Sequence, residues 1–476
     1  MKSTNLARLT PTGGVHGTKR VVVNQRQWRD KPLLKFEGQE RYFKTGTEAV
    51  QIITDEAKRR DGDKKLYLEQ FEAMMQSLTP VFDRAPRYAW LAKAFLEPER
   101  SIEFRVSFLD DSGSVRTHRG YRIQYSSTLG PYEGPLHFGV DVTSDKLKSC
   151  ALGTCFANAL NGSKLGGAAG GANFDPQRSS ESEIQRFCQS YMSELSKYIG
   201  PSTDLPSIGQ AVGRAEVGYL YGHFKRVSNL YSPHGSGLLW GGALPHPEAY
   251  GYSVVHFAKH ALEERGETIE GKRCAITGSG KIALAVAERL IALGAIPLTF
   301  SDQSGHVYEP DGITEAKFQK VNAIKQERGA RIGRYIIAST TAKYNDRKNI
   351  FDTPSVDIVF AAATSSEIDV AEAHKIADSG CKMVVDAAHA PTTPAAARVL
   401  KKLGVLHAPY KATLAAGVLL DNAEDITKTI DDITAKVYFD VSKTAIDYNA
   451  RGDLNAGTNI SSFLKIANLM DAHGAI

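Results

Sequence analysis

Two glycine-rich stretches are where this sequence has room to hold a ligand or run a reaction. In "KLGGAAGGANFDP" (164–176) the glycines suit a catalytic loop, yet the central "GGAAGGA" carries no group able to give or take a proton. The second stretch, Gly278-Ser279-Gly280-Lys281-Ile282-Ala283, fits the pattern G-x-G-x-x-A. Its first glycine permits a tight turn, its second lets backbone approach a pyrophosphate, and its last small residue lets a helix pack on a strand. The N–H groups that open such a helix then face the phosphates. Lys281 reads equally as a phosphate contact or as a solvated lysine at a helix start. Asp302, at the end of the next apolar run, suits a ribose hydroxyl, and Ser301 is compatible with a 2′-phosphate, so NAD and NADP both stay open.

That fingerprint needs a strand before it and a helix behind it. "CAIT" leads into the glycine turn, a helical pattern follows, and "IPLTF" supplies the next strand. "VDIVFAAA" (356–363), "KMVVDAA" (382–388) and "VLHAP" (405–409) alternate with helical stretches at 370–379 and 394–403, which predicts a doubly wound parallel sheet. Upstream, residues 47–78 have helical spacing that "DGD" can split. The alternating runs from Ile102 flank the turn signal Asp110-Asp111-Ser112-Gly113 and predict a hairpin. Residues 181–199 and 211–224 read as helices. A Gly- and Pro-marked passage at 237–253 reads as a crossing between domains, followed by a helix at about 254–265, and the last segment, from about Asp440, is helical after "YNARGDLNAGTN".

Bulk properties limit the function classes. At 476 residues the chain is long enough for two domains. With 42% hydrophobic and 23% charged residues it reads as globular, and the sequence predicts no membrane span. The net charge of +5 is spread rather than striped, which argues against nucleic acid as the main partner. Cys150, Cys155, Cys188, Cys274 and Cys381 are scattered without CxxC spacing, so buried thiols and no metal site are expected. The first 29 residues are basic and lack acids, which fits either a transit peptide or a solvated arm and leaves mitochondrial and cytoplasmic locations open.

Several blocks together, among them "YRIQYSSTLGPYEGPLHF", "GGAAGGANFDP", "EVGYLYGHFKR", "ITGSGKIA", "AATSSEID" and "AHAPTTPAA", resemble in order those of hexameric NADP-type glutamate dehydrogenases. The resemblance implies an α/β fold of two domains. A basic arm (1–44) would precede a substrate and oligomerisation domain (45–247). A Rossmann-like dinucleotide domain (248–438) would follow, with a C-terminal helical segment (439–476) returning to the first. It implies NADP or NAD held by Gly278, Ser279, Gly280, Lys281, Ile282, Ala283, Ser301, Asp302 and Thr364. It also implies a hexamer, of one chain or with a paralogue.

The departures fall on the family's reagents. Where the family has the lysine of GGGKGG, which polarises the substrate carbonyl, this chain has Ala169; where it has a proton-relaying aspartate after the "TD-P" segment, this chain has Gly209. Positions of carboxylate-binding lysines hold Glu133 and Ala157, that of an arginine holds His137, and that of a serine holds Asp421. Asn173 and His389 replace an aspartate and an asparagine, while Lys411 matches a family lysine. Two like charges facing a dicarboxylate at ~4 Å cost on the order of ~4 kcal/mol each at an effective dielectric near ~20. No catalytic residue is therefore assigned. The expected role is an inactive paralogue, structural or regulatory in an assembly. The alternatives are a divergent NAD(P)-dependent amino-acid dehydrogenase, with Glu133 and Asp421 for a cation and His137 as acid or base, and a module that binds the dinucleotide only for sensing.

Overall fold

The computed structural model describes residues 33–36, 39–228, 248–327, 329–347, 350–353, 355–418 and 425–474. Most of the basic arm, most of the 237–253 passage and Asp421 lie outside the described residues. Among the described residues no helix is long and apolar enough to cross a membrane.

The chain opens with a short hairpin, β1 (Leu33–Phe36) and β2 (Gln39–Tyr42), then helices α1 (Gly46–Asp61) and α2 (Lys65–Ser77), broken at the predicted Asp61-Gly62-Asp63. Strands β3 (Arg100–Leu109) and β4 (Val115–Ser126) form the predicted hairpin. Its turn is built by Asp110, whose Oδ1 accepts from the backbone N–H of Ser112 and of Ser114, both at 2.9 Å, while Gly113 takes φ +81. With β5 (Tyr132–Phe138), β6 (Gly167–Ala172) and β7 (Asp204–Ser207) they make a five-stranded sheet of order β3-β4-β6-β5-β7. The β3, β4 and β6 ladders are antiparallel, whereas β5 runs parallel to both β6 and β7.

The glycine-rich stretch expected as a loop is therefore a central strand. Its composition has a packing cause. Helix α3 (Ser144–Asn161), capped by Thr143 and ended at left-handed Gly162, covers one face so closely that a Cβ on Gly167 would lie 2.2 Å from Cys155 Sγ. On the other face Ala172 joins the aromatic cluster of Phe138, Phe174, Phe187 and Tyr191 under α4 (Glu181–Leu195), which starts with a Ser180/Glu183 capping box. Helix α5 (Arg214–Ser228) packs beside α4.

In the second half, α6 (Glu248–Glu263) is already helical six residues before the expected 254. Strands β8 (Arg273–Ile276), β9 (Ile296–Pro297), β13 (Ile358–Ala361), β14 (Met383–Asp386) and β15 (Leu406–Ala408) form a parallel sheet of order β15-β14-β13-β8-β9. Helices α7 (Lys281–Ala292), α8 (Glu315–Gln326), α9 (Val370–Asp378) and α10 (Pro394–Lys402) connect or flank these strands. The chain order reverses between β8 and β13, which makes their carboxyl ends the crevice of the sheet. The apolar run "IPLTF" does not form one strand. After Leu298 the chain leaves the parallel sheet, and β10 (Thr299–Asp302) pairs antiparallel with β11 (Gly305–Tyr308), which pairs with β12 (Lys343–Asp346). The Thr299 hydroxyl keeps the departing strand beside β8 by donating to Ile276 O (3.1 Å) and accepting from Ile276 N–H (2.9 Å).

Helix α11 (Ile426–Asp447) runs unbroken through residue 438, and α12 (Leu454–Ala472) follows. Ile460, Phe463 and Ile466 of α12 belong to the same apolar core as Ile53, Phe71 and Phe82 from the start of the chain.

Candidate functional site

The dinucleotide fingerprint lies at the crevice between β8 and β13. Gly278 has φ +76, and a Cβ there would meet Ala362 O at 2.9 Å, so glycine is demanded twice. Gly280 caps α7 with no side-chain cap and open space around its Cα. The first-turn N–H groups of α7 are thus left for an external acceptor, which fits a pyrophosphate. Ser279 and Ala283 are buried, and Ile282 is half-buried in the core beneath the sheet. Thr364 is exposed beyond the end of β13.

Other members of the expected set are turned inward. Ser301 Oγ accepts from Gly278 N–H at 2.7 Å, and Ser301 N–H donates to Gly278 O at 3.0 Å, so this residue shapes the turn. Asp302 spends both oxygens on its own loop: Oδ1 accepts from Ser304 N–H (2.9 Å) and Oδ2 from Ile332 N–H (2.7 Å). Burial works against its charge, yet these hydrogen bonds hold its carboxyl below the usual range. Lys281 reaches toward the first half, where a Cβ on Gly213 would lie 2.6 Å from its Nζ. A residue missed in the sequence reading is Glu367. Its Oε1 accepts from Thr277 Oγ1 (2.8 Å) and Ala363 N–H (3.2 Å), tying the ends of β8 and β13 together. Burial pushes its carboxyl up to about 7. Its place in "AATSSEID", just beyond a strand end, was the available signal.

The positions of the family's reagents come together in the first half and are occupied. Ala169 is fully buried in the apolar core that also holds Ile123, Cys155 and Phe156. At Gly209 a Cβ would stand 2.2 Å from Leu136 O and 3.0 Å from Pro135 Cβ, so backbone fills the space of a side chain. Glu133 is buried on β5. Burial pushes its carboxyl up, while Asn158 Nδ2 donates to Oε2 at 3.0 Å. His137 Nδ1 accepts from Gln210 N–H at 3.0 Å, which places the ring proton on Nε2, 3.5 Å from Cys150 Sγ. Burial drives this imidazole down to about 3 and the Cys150 thiol up to about 12. All five cysteines are free and buried.

Beside them, Arg122 and Asp204 form a fully buried pair, with Nε–Oδ2 at 2.9 Å and Nη2–Oδ1 at 2.5 Å; Gln124 Nε2 donates to Asp204 Oδ2 at 2.8 Å. This network joins β4 to β7 and was not singled out in sequence, where the two charges lie far apart. Ala157 is half-buried against the second core, and Asn173 accepts from Arg119 N–H at 2.8 Å. Several contacts bridge the halves, among them three at this site. His389 Nε2 is 3.3 Å from Ser149 Oγ, Asn161 Nδ2 donates to Ala415 O at 2.8 Å, and Lys411 Nζ donates to Asn459 Oδ1 at 3.0 Å. Burial lowers both His389, well below its ordinary value, and Lys411, to about 7.

The family model for Glutamate/Leucine/Phenylalanine/Valine dehydrogenase matches residues 241–474, and that for the Glu/Leu/Phe/Val dehydrogenase dimerisation domain matches 98–226. The NADP-specific glutamate dehydrogenase of Chlorella sorokiniana is 37% identical over 447 residues, covering 90% of this chain and 84% of that protein. That of Giardia intestinalis is 34% identical, covering 90% and 99%. The crystal structure of Plasmodium falciparum glutamate dehydrogenase superposes with a TM-score of 0.85 at 33% identity, over 90% of this chain and 96% of that one. With its two-part α/β fold and its dinucleotide turn, the chain belongs to the glutamate/leucine/phenylalanine/valine dehydrogenase family and is glutamate dehydrogenase-like.

Proposed function

We propose that the chain is a catalytically inactive glutamate dehydrogenase-like subunit, acting as a structural or regulatory part of an oligomer. The observation that carries this reading is Ala169: the place of the family's reactive lysine is an alanine sealed in the apolar core of a central strand. Gly209, with backbone against its Cα, extends the argument to the proton relay. The cofactor that the family binds, NADP in the relatives' names, would lie on the backbone of residues 278–283 with its phosphates at the α7 N-terminus. Bound there it would supply hydride chemistry, for which this chain offers no proton-transfer group at either family position. Asp302 already accepts from Ser304 and Ile332, so a ribose hydroxyl would have to share its oxygens with the turn it stabilises. The proposed assembly is a hexamer of this chain or a mixed one with an active paralogue, in mitochondria or cytoplasm.

The test is calorimetric titration with NADPH and NADH beside a dehydrogenase assay on a panel of amino and keto acids. Nucleotide binding without turnover supports the reading, and turnover of any panel member overturns it.

A further inference from the structure

Away from the crevice, one group of metal-type donors stands out among the described residues. His256 and His260, four apart on α6, share a face that meets Asp431 on α11, and their donor atoms all lie within 4.8 Å of one another. Asp431 Oδ1 is 2.6 Å from His256 Nδ1 and 2.8 Å from His260 Nε2. The other nitrogen of His260, Nδ1, lies 3.1 Å from Glu263 Oε2. Both nitrogens of one ring therefore face carboxylates.

A carboxylate only accepts, so Nδ1–H is given to Glu263 and, in the neutral ring, Nε2 turns its lone pair toward an anionic oxygen. That buried Nε2 is close to Asp431 yet makes no hydrogen bond. A cation between the two removes the conflict. The order carboxylate, imidazole, metal, with the outer carboxylate fixing the tautomer, is the way histidine ligands are held in metal sites. Two basic groups stand where that charge is wanted: Lys259 Nζ is 3.1 Å from Asp431 Oδ2, and Arg289 Nε donates to His256 Nε2 at 2.9 Å.

We propose that His256, His260 and Asp431 form a site for one divalent ion of the zinc type, clasping α6 to α11, with Lys259 and Arg289 as tethered counter-charges that swing out when it binds. The donor set of two imidazoles and one carboxylate suits zinc, with water as fourth ligand. Metal–ligand bonds of ~2.0–2.1 Å set tetrahedral donors about 3.3 Å apart, so the two spacings to Asp431 Oδ1 open by several tenths of an ångström on binding. His256 moves its proton from Nδ1 to Nε2, which is why Arg289 must leave; no proton is lost in that step. Asp431 keeps about 30% of its side chain exposed, which gives the ion a way in.

The test uses the full chain stripped with a chelator, titrated with zinc by calorimetry and with cobalt(II) by visible absorption. The expected result is saturable one-to-one binding with the absorption of tetrahedral cobalt, lost in H260A and in D431N. E263Q, a change at a half-exposed side chain, is expected to weaken binding about 10- to 100-fold. K259A is expected to tighten it, because it frees Asp431 Oδ2. A mere ion-pair cluster would show no such gain. Absence of one-to-one binding, undiminished binding in H260A and D431N, or weaker binding in K259A overturns the proposal.

Discussion

Replacing Ala169 with lysine restores the residue type of the active family, and the structure sets its cost. Position 169 is sealed in apolar surroundings on β6, and a lysine amine so placed titrates at about 5–6 against ~10.4 in the unfolded chain. The folded value is depressed, so between these limits the unfolded chain holds the extra proton, and the destabilisation grows as pH falls from ~10.4 and is full below ~5.5. At about pH 7 the gap is ~3.4 units, or ~4.6 kcal/mol at ~1.36 per unit, whereas at about pH 9.5 only ~1.3 kcal/mol remains. Overpacking adds ~1–3 kcal/mol at either pH. The A169K variant should therefore lie ~5–8 kcal/mol below its parent near pH 7 and ~2–4 near pH 9.5, read from denaturant midpoints at matched pH. Against a usual total of ~5–15 kcal/mol that leaves a marginal protein. Glutamate-dependent NADP reduction should stay at background in A169K and in A169K/G209D, since the second change drives a Cβ into Leu136 O. A deficit below about 1 kcal/mol near pH 7, or measurable turnover, would mean that position 169 opens on a working cleft and would refute the reasoning.

Gly278→Ala places a Cβ at φ +76 against Ala362 O. It should cost ~1–2 kcal/mol and remove NADPH binding in calorimetry, and an unchanged affinity would take this turn out of the nucleotide site. Arg122→Met strands Asp204 as a buried charge. The expected loss is ~3–5 kcal/mol by denaturation, with part recovered in the R122M/D204N double variant; equal losses in both would assign the effect to packing. His137 is held at about 3 by burial, below its unfolded value of ~6.5, so its share of stability is present above ~6.5 and lost as pH falls toward 3. Over that window the parent should lose ~1.4 kcal/mol per pH unit through this ring, and H137L should lack that share of the slope; identical slopes would place the ring in solvent.

Where local chemistry dictates structure, the sequence was readable. The Asp110 turn, the break at Asp61-Gly62-Asp63 and the turn at Gly278 each depend on residues within a few positions of one another. The misreadings have one cause in common. "GGAAGGA" has no side chains large enough to show an alternating pattern, and its smallness answers to Cys155 and to an aromatic cluster distant in sequence. "IPLTF" is uniformly apolar, and nothing in it marks Leu298 as the place where hydrogen bonding passes from one sheet to another. The candidate site divides the same way: the tight turn at Gly278 follows from its own sequence, but the hydrogen bonds of Asp302 do not, because one of them comes from Ile332, thirty residues away.

An enzyme cleft keeps polar groups waiting for a ligand, and each such group, if buried unpaired, costs about 1–3 kcal/mol. Among the described residues at and around the corresponding positions, the charged and titratable groups have partners within the chain. Glu133 has Asn158, His137 has Gln210 and Cys150, His389 has Ser149, Lys411 has Asn459, and Lys146 is bound to Asp141 and to Gln210. The buried atoms left over nearby among the described residues, Gln124 Oε1, Asn158 Oδ1, Ser207 Oγ and Tyr410 Oη, belong to neutral groups. A dicarboxylate needs cations, and a neutral acceptor and a hydroxyl cannot stand in for them. Releasing Lys146 or Lys411 to serve would strand the carboxylate or amide each now satisfies. On the reading proposed above, opening the halves would not by itself create a glutamate site, because the cations nearest positions 169 and 209 are held by partners within the chain.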